Sequence, residues 1–113
     1  EEYKIFLRER GIPFRETDGL TDGFSDADII YMTRVQRERF TDPIEYERVK
    51  NVYSLSAAML EGTKPGMKIL HPLPRVNEIS YDVDDSNHAY YFEQARNGVY
   101  TRMAIIAKLL GEK

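Results

Sequence analysis

The chain has 113 residues, which allows one small domain at most, with a formal net charge of −3 and no cysteine. Interspersed acidic and basic residues argue against a nucleic-acid partner, and the lack of cysteine excludes disulfides and thiolate chemistry within these residues. No apolar run reaches the roughly 18 residues that a membrane-spanning helix needs, so no membrane partner is predicted.

The first quarter of the chain predicts a helix followed by irregular structure. Apolar residues in the first turns share one face, and Gly11 is a suitable helix end. Residues 14–17 are a weak strand candidate, and residues 18–27 read as a loop with at most one helical turn. The chain starts within a helical pattern without an initiator Met, so we expect it to be the C-terminal part of a longer polypeptide.

The best strand candidate lies at residues 28–33, Asp-Ile-Ile-Tyr-Met-Thr. It is apolar at consecutive positions, which is typical of a strand covered by helices on both faces. If the extended backbone continues, Arg34 and Gln36 share one face while Val35 turns inward. An Arg fork matches a carboxylate, and Gln adds a neutral donor and acceptor. This strand end therefore predicts a site for a carboxylate-bearing ligand.

The middle of the chain carries a strong helix-start signal at residues 42–45, Asp-Pro-Ile-Glu. Asp serves as N-cap, Pro suits the first helical position and Glu follows, so a helix to about Lys50 is predicted. Residues 52–55 are predicted to be extended, and Ser56 is predicted to cap a short helix over residues 57–61.

A second strand is predicted over Met67 to Leu70, where two prolines stop it. Pro72 and Pro74 cannot continue a ladder, because proline lacks the backbone N–H, and nearby carbonyls are left to face a ligand. Alternating strands and helices imply a parallel sheet, whose ligands lie beyond the carboxyl ends of the strands. The loop that ends at Arg75 is therefore predicted to hold a small polar molecule.

The C-terminal segment predicts a long helix with an apolar stripe over residues 92–110. The usual meaning of such a stripe is core packing. Asn97-Gly98 interrupts the pattern, and a glycine within a helix costs about 1 kcal/mol against alanine, so a bend or break is predicted there.

Several polar residues have a structural interpretation that we prefer to a catalytic one. His71 and His88 are predicted to support or cap the backbone. The acidic residues 82–85 lack the Gly and distal Glu of a calcium loop, so they are predicted to form a solvated loop in which Asp85 or Ser86 caps the last helix.

Two strand ends carry motifs that resemble those of aspartate carbamoyltransferases. The motifs are YMTRVQ at 31–36 with ERF at 38–40, and HPLPRV at 71–76. The resemblance continues through residues 82–84 and 88–95 and covers essentially the whole chain. The ornithine-using relatives have a Cys within His-Cys-Leu-Pro and a Ser-Met-Gly loop, which are both absent here. Aspartate is therefore the predicted substrate.

The resemblance implies a cytoplasmic enzyme that transfers the carbamoyl group of carbamoyl phosphate to the α-amine of L-aspartate, in de novo pyrimidine biosynthesis. It implies no cofactor, no metal and no covalent enzyme intermediate. It also implies a homotrimer of the full chain, to which regulatory subunits attach in some members. The family's catalytic histidine and phosphate-binding segments have no match in these 113 residues, so no catalytic residue is assigned.

In fold, the resemblance implies an α/β architecture, the C-terminal part of a Rossmann-like, parallel-sheet aspartate-binding domain. Residues 1–88 would form an incomplete aspartate-binding domain, and residues 89–113 a helix that packs on the absent carbamoyl-phosphate domain. The family's central strands would be missing between residues 14–17 and 28–33. We therefore expect the chain alone to be inactive, with an exposed apolar patch.

Residue by residue, the resemblance implies two groups of functional side chains. Substrate-binding roles fall on Arg34, Gln36, Pro72 and Leu73, with a cis peptide between Leu73 and Pro74. Conformational roles, in closing a loop over aspartate, fall on Arg39, Glu45, Tyr46 and Arg75. The family usually has Asp where this chain has Asn77, which weakens any pairing of that position with Arg39.

Two other functions remain open on the sequence. One is a non-catalytic binding or assembly module that keeps the fold. The other is a nucleotide-binding α/β domain, which only the fold class would support, since no phosphate-binding glycine motif is present.

Overall fold

The computed structural model describes residues 1–34, 41–50 and 52–111. The α-helices of this part are α1 (Glu2–Glu9), α2 (Pro43–Lys50) and α3 (Tyr91–Leu109), and short 3₁₀ turns lie at Phe24–Asp26, Ala57–Leu60 and Tyr81–Val83. None of these helices combines the length and the hydrophobicity that crossing a membrane requires. The predicted first helix, the turn within residues 18–27, the helix to Lys50 and the long C-terminal helix are confirmed.

The two predicted strands pair in parallel, as expected. Strand β1 (Ile29–Tyr31) lies beside β2 (Lys68–Leu70). The ladder is continued beyond β1, where the Met32 N–H donates to the Leu70 carbonyl at 2.8 Å. On its other side, β2 is joined by a parallel bridge between Ile69 and Ala89. Both strands therefore end at the same edge, where Arg34 and His71 follow them.

The core lies around this sheet and continues beneath the loops. It consists of Phe24, Ile30, Met32, Leu55, Leu60, Met67, Ile69, Ile79, Val83 and Tyr91. The expectation that β1 is covered on both faces is wrong for the described part of the chain. Ile30 is buried, but Ile29 is 60% and Tyr31 55% exposed, because helices and loops of this part cover only one face.

Two local predictions differ from the structure for reasons of hydrogen bonding. Residues 14–17 are not a strand, because their backbone joins no ladder in the described part of the chain. Ser56 makes no side-chain cap to the turn at Ala57–Leu60. The Ala57 N–H donates instead to Asp82 Oδ1 at 3.3 Å, so a carboxylate distant in sequence satisfies this turn. By contrast, the predicted cap of α2 is present, with Ile44 N–H donating to Asp42 Oδ1 at 2.9 Å.

Helix α3 differs from its prediction in two ways. It is unbroken at Gly98, because a cost of about 1 kcal/mol does not outweigh a 19-residue run of helical bonds. Its apolar stripe is not part of this core, since Val99, Met103 and Ile106 are each more than half exposed. Tyr91, in the first turn, is the residue of α3 that the core buries completely. Neither Asp85 nor Ser86 caps the helix, whose N-cap is Tyr90 without a side-chain bond.

Candidate functional site at the strand ends

The segment after β1 lines a shallow pocket of about 230 Å³. Its walls are Leu20, Tyr31, Met32, Thr33, Arg34 and Tyr53. Arg34 follows β1 and is exposed. Gln36 and Arg39 lie outside the described residues, so the shared face predicted for Arg34 and Gln36 stays a prediction.

The loop after β2 has an unusual backbone at its tip. The peptide between Leu73 and Pro74 is cis, which confirms that prediction. Leu73 has φ of +47°, a left-handed conformation that is uncommon for a residue with a side chain. Pro72 and Pro74 are exposed and Leu73 is half-buried, so the tip of the loop is accessible to a ligand. Non-glycine residues in this region persist where their surroundings hold them, often at binding sites.

His71 is the side chain that holds this tip. It is 1% exposed. Its Nδ1 accepts the Leu73 N–H at 2.7 Å, and its Nε2 lies 2.7 Å from Glu78 Oε1. The predicted supporting role of His71 is therefore confirmed. His88 is also structural, since its Nδ1 lies 2.8 Å from the Met67 carbonyl near the opposite end of β2.

Glu78 closes the loop from its far side. It is 5% exposed, and its carboxylate accepts the N–H groups of Val76 and Asn77, both at 3.1 Å, as well as the bond to His71. Burial alone would raise the pKa of Glu78. Hydrogen bonds from its own backbone amide and that of Val76, with His71, outweigh this effect and hold the pKa of Glu78 below its usual value.

Gln94 joins the two strand ends and was not predicted. Its Oε1 accepts the His71 N–H at 2.9 Å, and its Nε2 donates to the Tyr31 hydroxyl at 3.1 Å. Gln94 lies in the first turns of α3, 63 residues from Tyr31. Gln94 lies on the side of α3 opposite the apolar stripe, so no local pattern marked it.

Arg75 braces the loop by turning back onto the domain. Its guanidinium makes a bidentate pair with Asp84, and the Tyr91 hydroxyl donates to the same carboxylate. The guanidinium also lies 4.4 Å from the centre of the Tyr81 ring, within cation–π range. The expectation that residues 82–85 are a solvated loop is therefore wrong for Asp84, which is partly buried and fully engaged.

The hydrogen bonds of this cluster shift the pKa values of its three titratable residues. Donation from Arg75 and from Tyr91 outweighs burial and lowers the pKa of Asp84. The Asp84 carboxylate raises the pKa of Arg75, which stays charged. Burial, followed by donation to Asp84, raises the pKa of Tyr91 to about 12. The cluster thus fixes Arg75 as a structural cation beside the loop.

The predicted conformational residues Glu45 and Tyr46 lie on α2. Glu45 is exposed and Tyr46 is half-buried in the first turn of the helix. Asn77 is exposed, and its carbonyl accepts the Ser54 hydroxyl at 2.7 Å. Any pairing between Asn77 and Arg39 falls outside the described residues.

Together the fold and this site define an α/β domain with polar loops gathered at the carboxyl ends of its parallel strands. The chain belongs to the aspartate/ornithine carbamoyltransferase family, since the model of its Asp/Orn binding domain matches residues 1–109. Parallel α/β sheets generally bind their ligands beyond the carboxyl ends of the strands, where these loops lie.

Curated relatives agree with this assignment. The aspartate carbamoyltransferase catalytic subunit of Bacteroides fragilis is 64% identical over 112 residues, which are 98% of this chain and 36% of the relative. The corresponding subunit of Clostridium perfringens is 56% identical over 106 residues, 94% of this chain and 34% of the relative. The chain thus spans about a third of the length of these relatives.

Solved structures show the same fold. The catalytic subunit of M. jannaschii aspartate transcarbamoylase matches 98% of this chain and 36% of its own, with 45% identity and a TM-score of 0.86. Trypanosoma cruzi aspartate transcarbamoylase in complex with carbamoyl aspartate and phosphate matches 94% of this chain and 34% of its own, with 34% identity and a TM-score of 0.79. The predicted fold class and family are confirmed.

Proposed function

We propose that these residues form the aspartate half-site of a longer aspartate carbamoyltransferase catalytic chain. The observation that carries the proposal is the 64% identity to such a subunit across 98% of this chain. The loop at residues 71–78 supports it, because a rigid, accessible backbone tip with carbonyl acceptors suits a ligand with an amine. The reaction joins the carbamoyl group of carbamoyl phosphate to aspartate, as a step in pyrimidine biosynthesis in the cytoplasm.

In this proposal the strand ends hold aspartate by its charged groups. Arg34 and Gln36 bind the side-chain carboxylate, and the Pro72 and Leu73 carbonyls accept N–H groups of the amine and the carbamoyl group. Carbonyl oxygens only accept hydrogen bonds, so they orient N–H groups without exchanging protons. Arg39, Glu45 and Tyr46 act in closure over aspartate, while Arg75 keeps the loop in place through Asp84.

The chemistry requires a neutral amine held against the carbamoyl carbon. The amine nitrogen forms the new C–N bond, the C–O bond to phosphate breaks with its electron pair leaving on phosphate, and the amine loses a proton. Orientation of two bound reactants can supply several kcal/mol of the barrier. The groups that bind phosphate and polarise the carbonyl come from outside these 113 residues, so the chain alone is expected to be inactive.

The proposal also covers how these residues pack within the full chain and how full chains assemble. Residues 1–88 belong to the aspartate-binding domain, and residues 89–113 pack on the carbamoyl-phosphate domain of the full chain. The exposed stripe of α3 supports this, because apolar patches of this kind mark contact surfaces. Three full chains would assemble as a trimer, which light scattering of the purified protein would measure.

The test is steady-state kinetics of the full-length chain that carries these residues. Arg34→Ala removes a charge-assisted contact worth about 1.5–3 kcal/mol, so kcat/KM for aspartate should fall roughly 10- to 150-fold. Arg15→Ala removes an exposed arginine outside both strand ends and outside α3, and should leave the kinetics unchanged.

Three outcomes would contradict the proposal. One is a parent chain that forms no carbamoyl aspartate from aspartate and carbamoyl phosphate, or that prefers ornithine. Another is an unchanged aspartate dependence in Arg34→Ala, which would remove Arg34 from the site. Turnover by the 113 residues alone would show that the half-site assignment is wrong.

A further inference from the structure

The polar groups around the loop tip determine the protonation of His71. The Leu73 N–H is only a donor, so the Nδ1 that receives it at 2.7 Å carries no proton. The proton of the neutral ring is therefore on Nε2, where it donates to Glu78 Oε1 at 2.7 Å. A charged imidazolium would set an Nδ1–H against the Leu73 N–H. The contact between His71 and Glu78 is thus a hydrogen bond from a neutral ring to a carboxylate.

This bond fixes the direction of one peptide plane. In a trans peptide the N–H and the C=O point in opposite directions. The Pro72–Leu73 peptide is trans, since the cis bond in this loop follows Leu73. Because the Leu73 N–H points at the buried His71 ring, the Pro72 carbonyl of the same peptide points away from that ring.

The residue that sets this direction is itself held through its backbone and through its ring. The backbone N–H of His71 donates to Gln94, and Glu78 receives the Nε2 proton. Glu78 also receives the N–H groups of Val76 and Asn77, which lie beyond the cis peptide. One buried carboxylate therefore ties both ends of the loop to the same imidazole. The strained φ of Leu73 is consistent with a tip that its surroundings hold.

We propose that His71 is a positioning residue for the transfer reaction. As the neutral Nε2–H tautomer held by Glu78, His71 aims the Pro72 carbonyl at the reacting N–H groups. The proposal rests on the proposed function and adds a residue to it. His71 takes no proton from substrate. It acts through the Pro72–Leu73 peptide, and its loss should lower kcat more than it raises KM for aspartate.

Two substitutions separate this role from a general need for a buried histidine. His71→Asn places an amide oxygen near the position of Nδ1, where it can still accept the Leu73 N–H. His71→Gln places its amide near the position of Nε2, where it can donate to Glu78 but leaves the Leu73 N–H without an acceptor. The control is His88→Gln, at the other end of β2.

In the full-length chain we expect His71→Gln to lose about 100-fold in kcat, the scale of a misplacement of about 1 Å, while His71→Asn stays within about fivefold of the parent. His88→Gln should leave kcat unchanged. Equal losses in the two His71 variants, or none, would overturn the proposal while Arg34→Ala still tests the proposed function. A parent without activity would instead defeat the proposed function.

A second measurement applies even if a His71 variant does not fold. ¹⁵N spectra of the histidine-labelled parent chain distinguish a bare ring nitrogen from a protonated one. His71 should show a bare Nδ1 and a protonated Nε2. His88 should show a protonated Nδ1, because the Met67 carbonyl beside it is only an acceptor. A proton on His71 Nδ1 would overturn the proposal.

Discussion

Two regions of the molecule differ in whether this chain supplies the partners of their side chains. They are the loop at residues 71–78 and the part of α3 beyond its first turns. In the loop, His71, Arg75 and Glu78 are largely buried, and each makes several hydrogen bonds to this chain. In α3, Val99 and Ile106 are each more than half exposed. The loop's conformation is therefore set by these residues themselves. The apolar stripe of α3 has no cover in the described part of the chain.

The largest expected effect is a loss of stability on removing the carboxylate partner of Arg75. It tests whether contacts within this chain stabilise the loop at residues 71–78. Asp84→Ala in the full-length chain leaves Arg75 partly buried without its carboxylate, so the free energy of unfolding should fall by about 3 kcal/mol. Asp85→Ala, one residue on and exposed, should change it by less than about 0.5 kcal/mol. Denaturant unfolding measures both. Equal values for the two variants would show that the Arg75 cluster does not stabilise the loop.

A smaller effect is expected from acid. Glu78 and Asp84 both have pKa values lowered by folding, so the stability they contribute is present above their unfolded pKa values and is lost as pH falls through the folded ones. The free energy of unfolding should therefore decline below about pH 4. Asp84→Asn should make this decline shallower. The same slope in parent and variant would contradict the assigned shift of Asp84.

The same contrast explains what the sequence could predict. The Asp42 cap, a signal carried by adjacent residues, was confirmed, as was the parallel pairing that the alternation of strands and helices implied. The cis peptide before Pro74, which the family resemblance implied, was confirmed as well. Hydrogen bonds between residues distant in sequence were not predicted. No local pattern marks Gln94 as the link between two strand ends or Asp84 as the partner of Arg75.

The errors have a related physical cause. Residues 14–17 have some strand character, but a strand forms only where a neighbour accepts its backbone bonds. The stripe of α3 has the spacing of a core face, but spacing does not say whether the covering surface lies within these 113 residues. The family resemblance predicts a covering surface outside these 113 residues, and this stays a prediction.

The smallest expected effect comes from replacing a glycine within α3 and, as its control, a glycine just after the helix. The comparison measures how far the helicity of α3 depends on its own residues. Gly98 is within the helix, whereas Gly111 follows it with φ of +81°. In a peptide of residues 88–113, Gly98→Ala should raise helicity, since alanine favours a helix interior by up to about 1 kcal/mol. Gly111→Ala should not raise it, because a side chain disfavours the left-handed conformation there.

The same Gly98→Ala substitution in the full-length chain tests whether another part of the protein lies against this position. A Cβ at position 98 would meet only the Arg102 guanidinium, at 3.2 Å, which is the movable end of a long side chain. Within these residues nothing therefore opposes Gly98→Ala, and the stability gain should persist in the full chain if position 98 stays open. A gain in the peptide that reverses in the full chain would show that another part of the protein lies against Gly98. A fall in peptide helicity would contradict the account of why α3 continues through this glycine.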